Sequence, residues 1–108
     1  MKIGFPTGSN KGLEAKVYEH FGRAPYFTIV SVEGNRIVDV EVLENIARES
    51  HEPGTIPRML ADRGVNIVVT AGIGWRAREN FNKMGIKVLT GAKGYVKDVL
   101  TYLISHLT

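Results

Sequence analysis

The sequence predicts an α/β sandwich in which helices cover a mixed β-sheet. Three features lead there. A hairpin signal stands in the first half, apolar strand-like runs alternate with helical stripes in the second, and no linker, repeat or low-complexity tract interrupts the 108 residues. Alternating strands and helices build a parallel sheet, and a hairpin adds antiparallel strands to it. The length suits one domain spanning residues 1–108, which would withdraw roughly 60–70% of its unfolded surface from water.

Each element has its own signal. Residues 2–6 (KIGFP) read as a short buried strand, stopped by the glycine-rich stretch TGSNKG at 7–12. Residues 26–32 (YFTIVSV) and 36–43 (RIVDVEVL) flank Glu33-Gly34-Asn35, and β-branched residues on both sides of a Gly-Asn turn indicate a hairpin. In the second arm Val38, Val40 and Val42 alternate with Asp39 and Glu41, the pattern of an edge strand with one wet face. A polar connection, 45–54, leads to a first helix over 55–63, with Pro57 in its first turn and Gly64 as its stop. Residues 65–70 (VNIVVT) form a buried strand. A second helix follows Gly74, with Ala77, Phe81 and Met84 on one stripe and Gly85 at its end. Residues 86–90 give the last strand. A third helix after Gly94 carries Val96, Val99, Leu100, Leu103, Ile104 and Leu107 at helical spacing.

Composition narrows the function. Hydrophobic residues make up 44% and charged residues 23%, so the chain can bury a core and disorder is not expected. Fourteen basic against eleven acidic side chains give +3 at pH 7. That mild excess suits a small anionic ligand and makes a poor case for nucleic acid, which usually meets a denser basic stripe. Cysteine is absent, which excludes disulfides and thiolate-held metals from this chain's own side chains. No apolar run reaches the roughly 20 residues of a membrane span, and a cytoplasmic location is the expectation.

Ligands of open α/β sheets gather beyond the carboxyl ends of the parallel strands. Three glycine-rich loops are expected there: 7–12, 71–74 (AGIG) and 90–94 (TGAKG), with Lys11, Arg76 and Lys93 adding charge. Two feed helix N-termini, whose free N–H groups and dipole attract anions. Gly72-Ile73-Gly74-Trp75-Arg76-Ala77 matches the dinucleotide fingerprint G-x-G-x-x-A, but no carboxylate closes the next strand to hold a ribose. A metal-dependent nuclease needs acids at the sheet centre, where the first strand offers Ile3, Gly4 and Phe5. No nucleophile motif is present, so catalysis is not expected. Of the three histidines, His106 reads as a helix-end residue, His51 lies in the polar connection between Glu49 and Glu52, and His20 precedes Phe21-Gly22-Arg23 at the entry to the hairpin.

The segments EHFGRAPYF (19–27), AGIGWRA (71–77) and GIKVLTGAKGYVKDVL (85–100), following MKIGFPTG, resemble the dinitrogenase iron–molybdenum cofactor biosynthesis family. That family includes the nitrogenase accessory proteins NifX and NafY, the C-terminal domain of NifB and small stand-alone members. The resemblance covers nearly the whole chain. It implies a ribonuclease-H-like three-layer α/β/α sandwich with a five-stranded mixed sheet and three helices. It also implies a non-catalytic carrier of an iron–sulfur or iron–molybdenum-type cluster or precursor, exchanged with cluster donor and acceptor proteins. His20 matches the family's cluster-contact histidine, with His51 as an auxiliary metal contact. The proposed cofactor site gathers His20, Gly22, Arg23, Gly72, Gly74, Gly91, Lys93 and Gly94. Trp75 departs from the family, which usually has proline there. Two alternatives stand beside it: a module for another anion, such as a nucleotide or phosphorylated metabolite, using the glycine loops without His20, and a partner-binding domain using Trp75 and the hairpin edge 36–43.

Overall fold

The computed structural model describes residues 1–48 and 54–107. Five strands form one mixed sheet in the order β3-β2-β1-β4-β5. Strand β1 (Lys2–Thr7) is central, running antiparallel to β2 (Tyr26–Glu33) and parallel to β4 (Ile67–Val69). Strand β5 (Lys87–Leu89) continues the parallel side, and β3 (Arg36–Glu44) is the antiparallel edge. The helices are α1 (Thr55–Asp62), α2 (Trp75–Lys83) and α3 (Val96–Leu107).

The sheet divides the core into two layers. On one face Phe27, Ile29 and Val68 pack with Leu60 of α1 and Phe81 of α2. On the other, Ile3, Phe5, Val30, Val32 and Val69 pack with Val96 and Leu100 of α3. Successive strand side chains point to opposite faces, so a strand covered on both sides must be apolar almost throughout. That is the reason for the unbroken character of β2. Its one buried hydroxyl, Thr28, is satisfied by Thr7 at 3.0 Å. Gly4 lets the Val65 segment approach β1: a Cβ there would stand 3.3 Å from a Val65 methyl.

Strands β4 and β5 are shorter than the sequence pattern predicts, and both lose residues at their starts for one reason. The Val65 N–H returns to Leu60 O (3.2 Å) and the Gly64 N–H to Ala61 O (2.9 Å), closing α1. The Ile86 N–H returns to Phe81 O (2.9 Å) and the Gly85 N–H to Asn82 O (3.1 Å), closing α2 in the same way. These are paired helix-capping bonds around a left-handed glycine. The apolar residue after each glycine caps a helix before the strand begins. At the hairpin, Gly34 supplies the positive φ (62°) of a two-residue turn. The pairing then slips, because Ser31 meets Asp39 while Val32 meets Ile37, leaving Val38 unpaired on the edge. Among the described residues no helix is long and apolar enough to cross a membrane.

Candidate functional site

The site begins with a short detour of chain. Residues 16–20 leave the end of β1 and run back beside it, with Val17 bridging Thr7 and the Tyr18 N–H donating to Pro6 O at 2.8 Å. His20 then bridges Gly72, so the detour fills the gap between the carboxyl end of β1 and the loop after β4. A single 3₁₀ turn, Phe21–Arg23, follows. Phe21 anchors the turn in the core, 5.3 Å from the ring of Phe27 and 5.4 Å edge-on to Phe81.

The far side of the turn is clamped by the residues after β3. The buried Asn45 side chain donates to Ala24 O at 2.8 Å, its backbone N–H donates to Pro25 O at 3.0 Å, and Arg48 Nε donates to Arg23 O at 2.8 Å. Sequence reasoning missed Asn45 and Arg48 as supports, since nothing in their local pattern shows that they reach back some twenty residues. With its backbone fixed on both sides, the turn projects His20 and Arg23 outward. Both are exposed, and neither side chain has a hydrogen-bond or ion-pair partner among the described residues.

Opposite stands the loop from β4 to α2. The Thr70 hydroxyl donates to Gly72 O at 3.2 Å, and Gly74 is the N-cap of α2 with no side chain capping the first turn. Between loop and turn lies an open cavity of about 550 Å³, lined by Glu19, His20, Phe21, Gly22, Arg23, Gly72, Ile73 and Gly74. None of its three glycines has positive φ. Gly22 and Gly74 face open space where a Cβ would be, and a Cβ at Gly72 would make only an ordinary contact with Glu19 O at 3.7 Å. Their backbones therefore do not demand glycine. The missing side chains leave the cavity open. Gly22 serves space rather than an unusual turn conformation.

Arg76 and Arg78 occupy the first turn of α2, which has no acidic residue. Cations at the positive end of a helix dipole cost about 0.3–1 kcal/mol each. They deepen the positive field around the cavity at the expense of the helix.

The structure gathers His20, Gly22, Arg23, Gly72 and Gly74 on this cavity, and separates the rest of the expected set. Gly91 and Lys93 line a second cavity of about 400 Å³, under α3, with Val69, Leu89, Val99 and Leu103 among its walls. Gly94 lines neither, and its carbonyl accepts the Val17 N–H at 2.9 Å. Nor does the loop 7–12, whose Gly12 packs beneath the edge strand, where a Cβ would stand 3.3 Å from Val40. The expected convergence of three glycine loops is thus a separation, because α2 and α3 depart to opposite faces of the sheet. His51 lies outside the described residues. His106 stacks on Tyr102 at 4.0 Å at the end of α3. Among the described residues no group of three or more His, Asp or Glu side chains is arranged to hold a metal ion.

Fold and site together define a three-layer α/β protein with an open, cation-rimmed cavity at the ends of its parallel strands. The chain belongs to the dinitrogenase iron–molybdenum cofactor family, whose model matches residues 1–106. An uncharacterized protein of Methanocaldococcus jannaschii, MJ0580, is 37% identical over 90 residues, which is 82% of this chain and 72% of that one. The crystal structure of PH0822 superposes with a TM-score of 0.88 at 40% identity, covering 98% of this chain and 92% of the other. The NMR structure of TM1290 from Thermotoga, provisionally assigned to NifB and placed in the DUF35 family, gives 0.80 at 27%, covering 96% and 87%.

Proposed function

We propose that this chain binds and carries an iron–sulfur cofactor of the iron–molybdenum type, or a precursor of it, without transforming it. The cargo would sit between the His20 turn and the start of α2. One observation carries the reading. Gly22, Gly72 and Gly74, whose backbones would accept other residues, leave a cavity open, and its wall presents an imidazole and a guanidinium that have no partner among the described residues. The family's description supports the class of cargo.

The donor set fits such a cargo. Imidazole is a suitable ligand for iron, while Arg23 and the amino end of α2 attract the negative charge of a sulfide-bridged cluster. With no cysteine in the chain, His20 supplies the coordinate bond and the rest of the hold is electrostatic. A single bond at an exposed cavity suits a carrier that must release what it holds. The same reading makes the protein a non-enzyme. The central strand β1 (KIGFPT) carries no carboxylate that would hold catalytic metal ions at the middle of the sheet.

Anaerobic loading with iron and sulfide, with and without molybdate, tests this by absorption spectrum and metal count. The parent should retain a chromophore that survives desalting. Retention should weaken several-fold between about 50 and about 500 mM salt, as exposed charges are screened. A chain that retains no metal, or holds it irrespective of salt, overturns the reading. Retention of a nucleotide or sugar phosphate with no chromophore would assign the cavity to another anion.

A further inference from the structure

The rim of the His20 cavity carries side chains that the cargo does not explain. Ile46 and Trp75 are the most exposed large hydrophobic side chains among the described residues, at 84% and 69%. Each adjoins a chain segment that forms one wall of the cavity. Trp75 directly follows Gly74, which lines it, and Ile46 lies in the loop held against Arg23 through Arg48. Neither side chain lines the cavity itself. Beside Trp75 stand two cations: Arg76, with its guanidinium 5.4 Å from the indole centre, and Arg78, one turn along the same helix face. Arg76, Arg78 and Arg48 make no ion pair among the described residues. Among the described residues the nearby acids are Glu19 on the cavity wall, Glu44 before the loop and Glu79 beside Arg78, the last paired with Lys83 at 3.8 Å, and against Arg23, Arg48, Arg76 and Arg78 they leave the rim positive.

Exposed tryptophan and arginine side by side is the composition of protein-docking surfaces, and large exposed apolar side chains beside a site mark interaction rather than solubility. The arginines also stand where α2 is destabilised by them, so the helix keeps them for something other than its own stability.

We infer that this rim docks a partner protein presenting an acidic, amphipathic surface, with Trp75 and Ile46 as the apolar anchors and Arg48, Arg76 and Arg78 as the charged contacts. The inference rests on the carrier reading only for what the two proteins exchange. Docking over the cavity mouth places the partner where cargo enters and leaves.

The test uses the whole chain without cargo. The probe is a fluorescein-labelled amphipathic helical peptide with a leucine stripe and a glutamate face, alongside a twin with lysine in place of each glutamate. Anisotropy should show the glutamate peptide binding at least about tenfold more tightly than its twin, with the difference shrinking in high salt. Trp75→Ala and Ile46→Ser should each weaken it about fivefold or more. Arg76→Glu should do the same through charge. Val38→Ser, at an exposed apolar position on the distant edge strand, should leave binding unchanged. Equal binding of both peptides overturns the inference, as does no binding at all. So does glutamate-peptide binding that ignores Trp75 and Ile46, which would reveal only polyanion attraction. Because no metal is read, a chain that docks the peptide yet retains no cluster sinks the carrier reading and spares this one. A chain that retains cluster without docking does the reverse.

Discussion

The loops AGIG (71–74) and TGAKG (90–94) look alike in sequence and leave neighbouring parallel strands at the same end of the sheet. Their glycines do different things. Gly72 and Gly74 have ordinary backbones, and what matters is the space above them. Gly91 and Gly94 stand at φ 87° and 93°, a region L side chains rarely adopt, and what matters is the turn they make. The first loop enters its helix at once, so Gly74 brings the amino end of α2 to the cavity. The second crosses to the opposite face before α3 begins at Val96. The result is an open polar cavity with His20 on one side and a largely apolar one beneath α3 on the other. Glycine-richness is therefore two signals, conformation and clearance, and only clearance points to a ligand.

The largest effect that would break this contrast is at His20. His20→Ala should lower iron retention by about a hundredfold or to background, a loss of some 2.7 kcal/mol or more, while far-UV circular dichroism stays unchanged. Lys93→Ala, in the other cavity, should change retention less than about twofold. Equal losses in the two variants would merge the two sites again.

Gly74→Val comes next. Its Cβ meets no atom within 4 Å, so the fold should accept it at a capping cost of about 1 kcal/mol or less, while the side chain takes up cargo space and weakens retention about tenfold. Undiminished retention would show that the glycine is not there for clearance.

Gly91→Ala should do the opposite. Forcing a Cβ into the left-handed region costs about 1–2 kcal/mol, so thermal unfolding should shift down by several degrees with iron retention unchanged. A stable variant that lost its iron would reverse the assignment of roles.

The smallest effect concerns a surface ion pair of α3 that lines neither cavity. Lys97 Nζ contacts the Glu14 carboxylate at 2.9 and 3.1 Å, and that hydrogen bond raises the lysine above its ordinary value of 10.5. A raised folded-state value means stability that is full below that ordinary, unfolded value and lost as pH climbs through the raised one. Comparing Lys97→Met with the parent should show a slight deficit in melting temperature at neutral pH, since the pair is exposed. The deficit should vanish above the lysine range, and one that persisted there would assign the effect to packing of the lysine stem.

Much of the fold was legible because burial imposes periodicity. The sheet needs β2 and β4 apolar on both faces and β3 on one, and α3 must show a stripe; each requirement writes itself into adjacent residues. The His20–Arg23 motif was legible for a different reason, as a resemblance. Its partners were less so. Asn45 and Arg48 reach the turn across some twenty residues, and no local pattern encodes a contact of that kind.

By itself the sequence determined the alternation of elements, the hairpin, the glycine stops of α1 and α2 and the residues able to meet an anionic cluster. These follow from short-range geometry: side-chain period, turn conformation and capping act over a few residues. Tertiary structure decided which loops share a cavity. That depends on which face of the sheet each helix takes, and so on packing between residues far apart in the chain. Gly74 faces His20 because α2 closes over Phe27 and Val68, whereas Gly91 faces Leu103 because α3 closes over Phe5 and Val69.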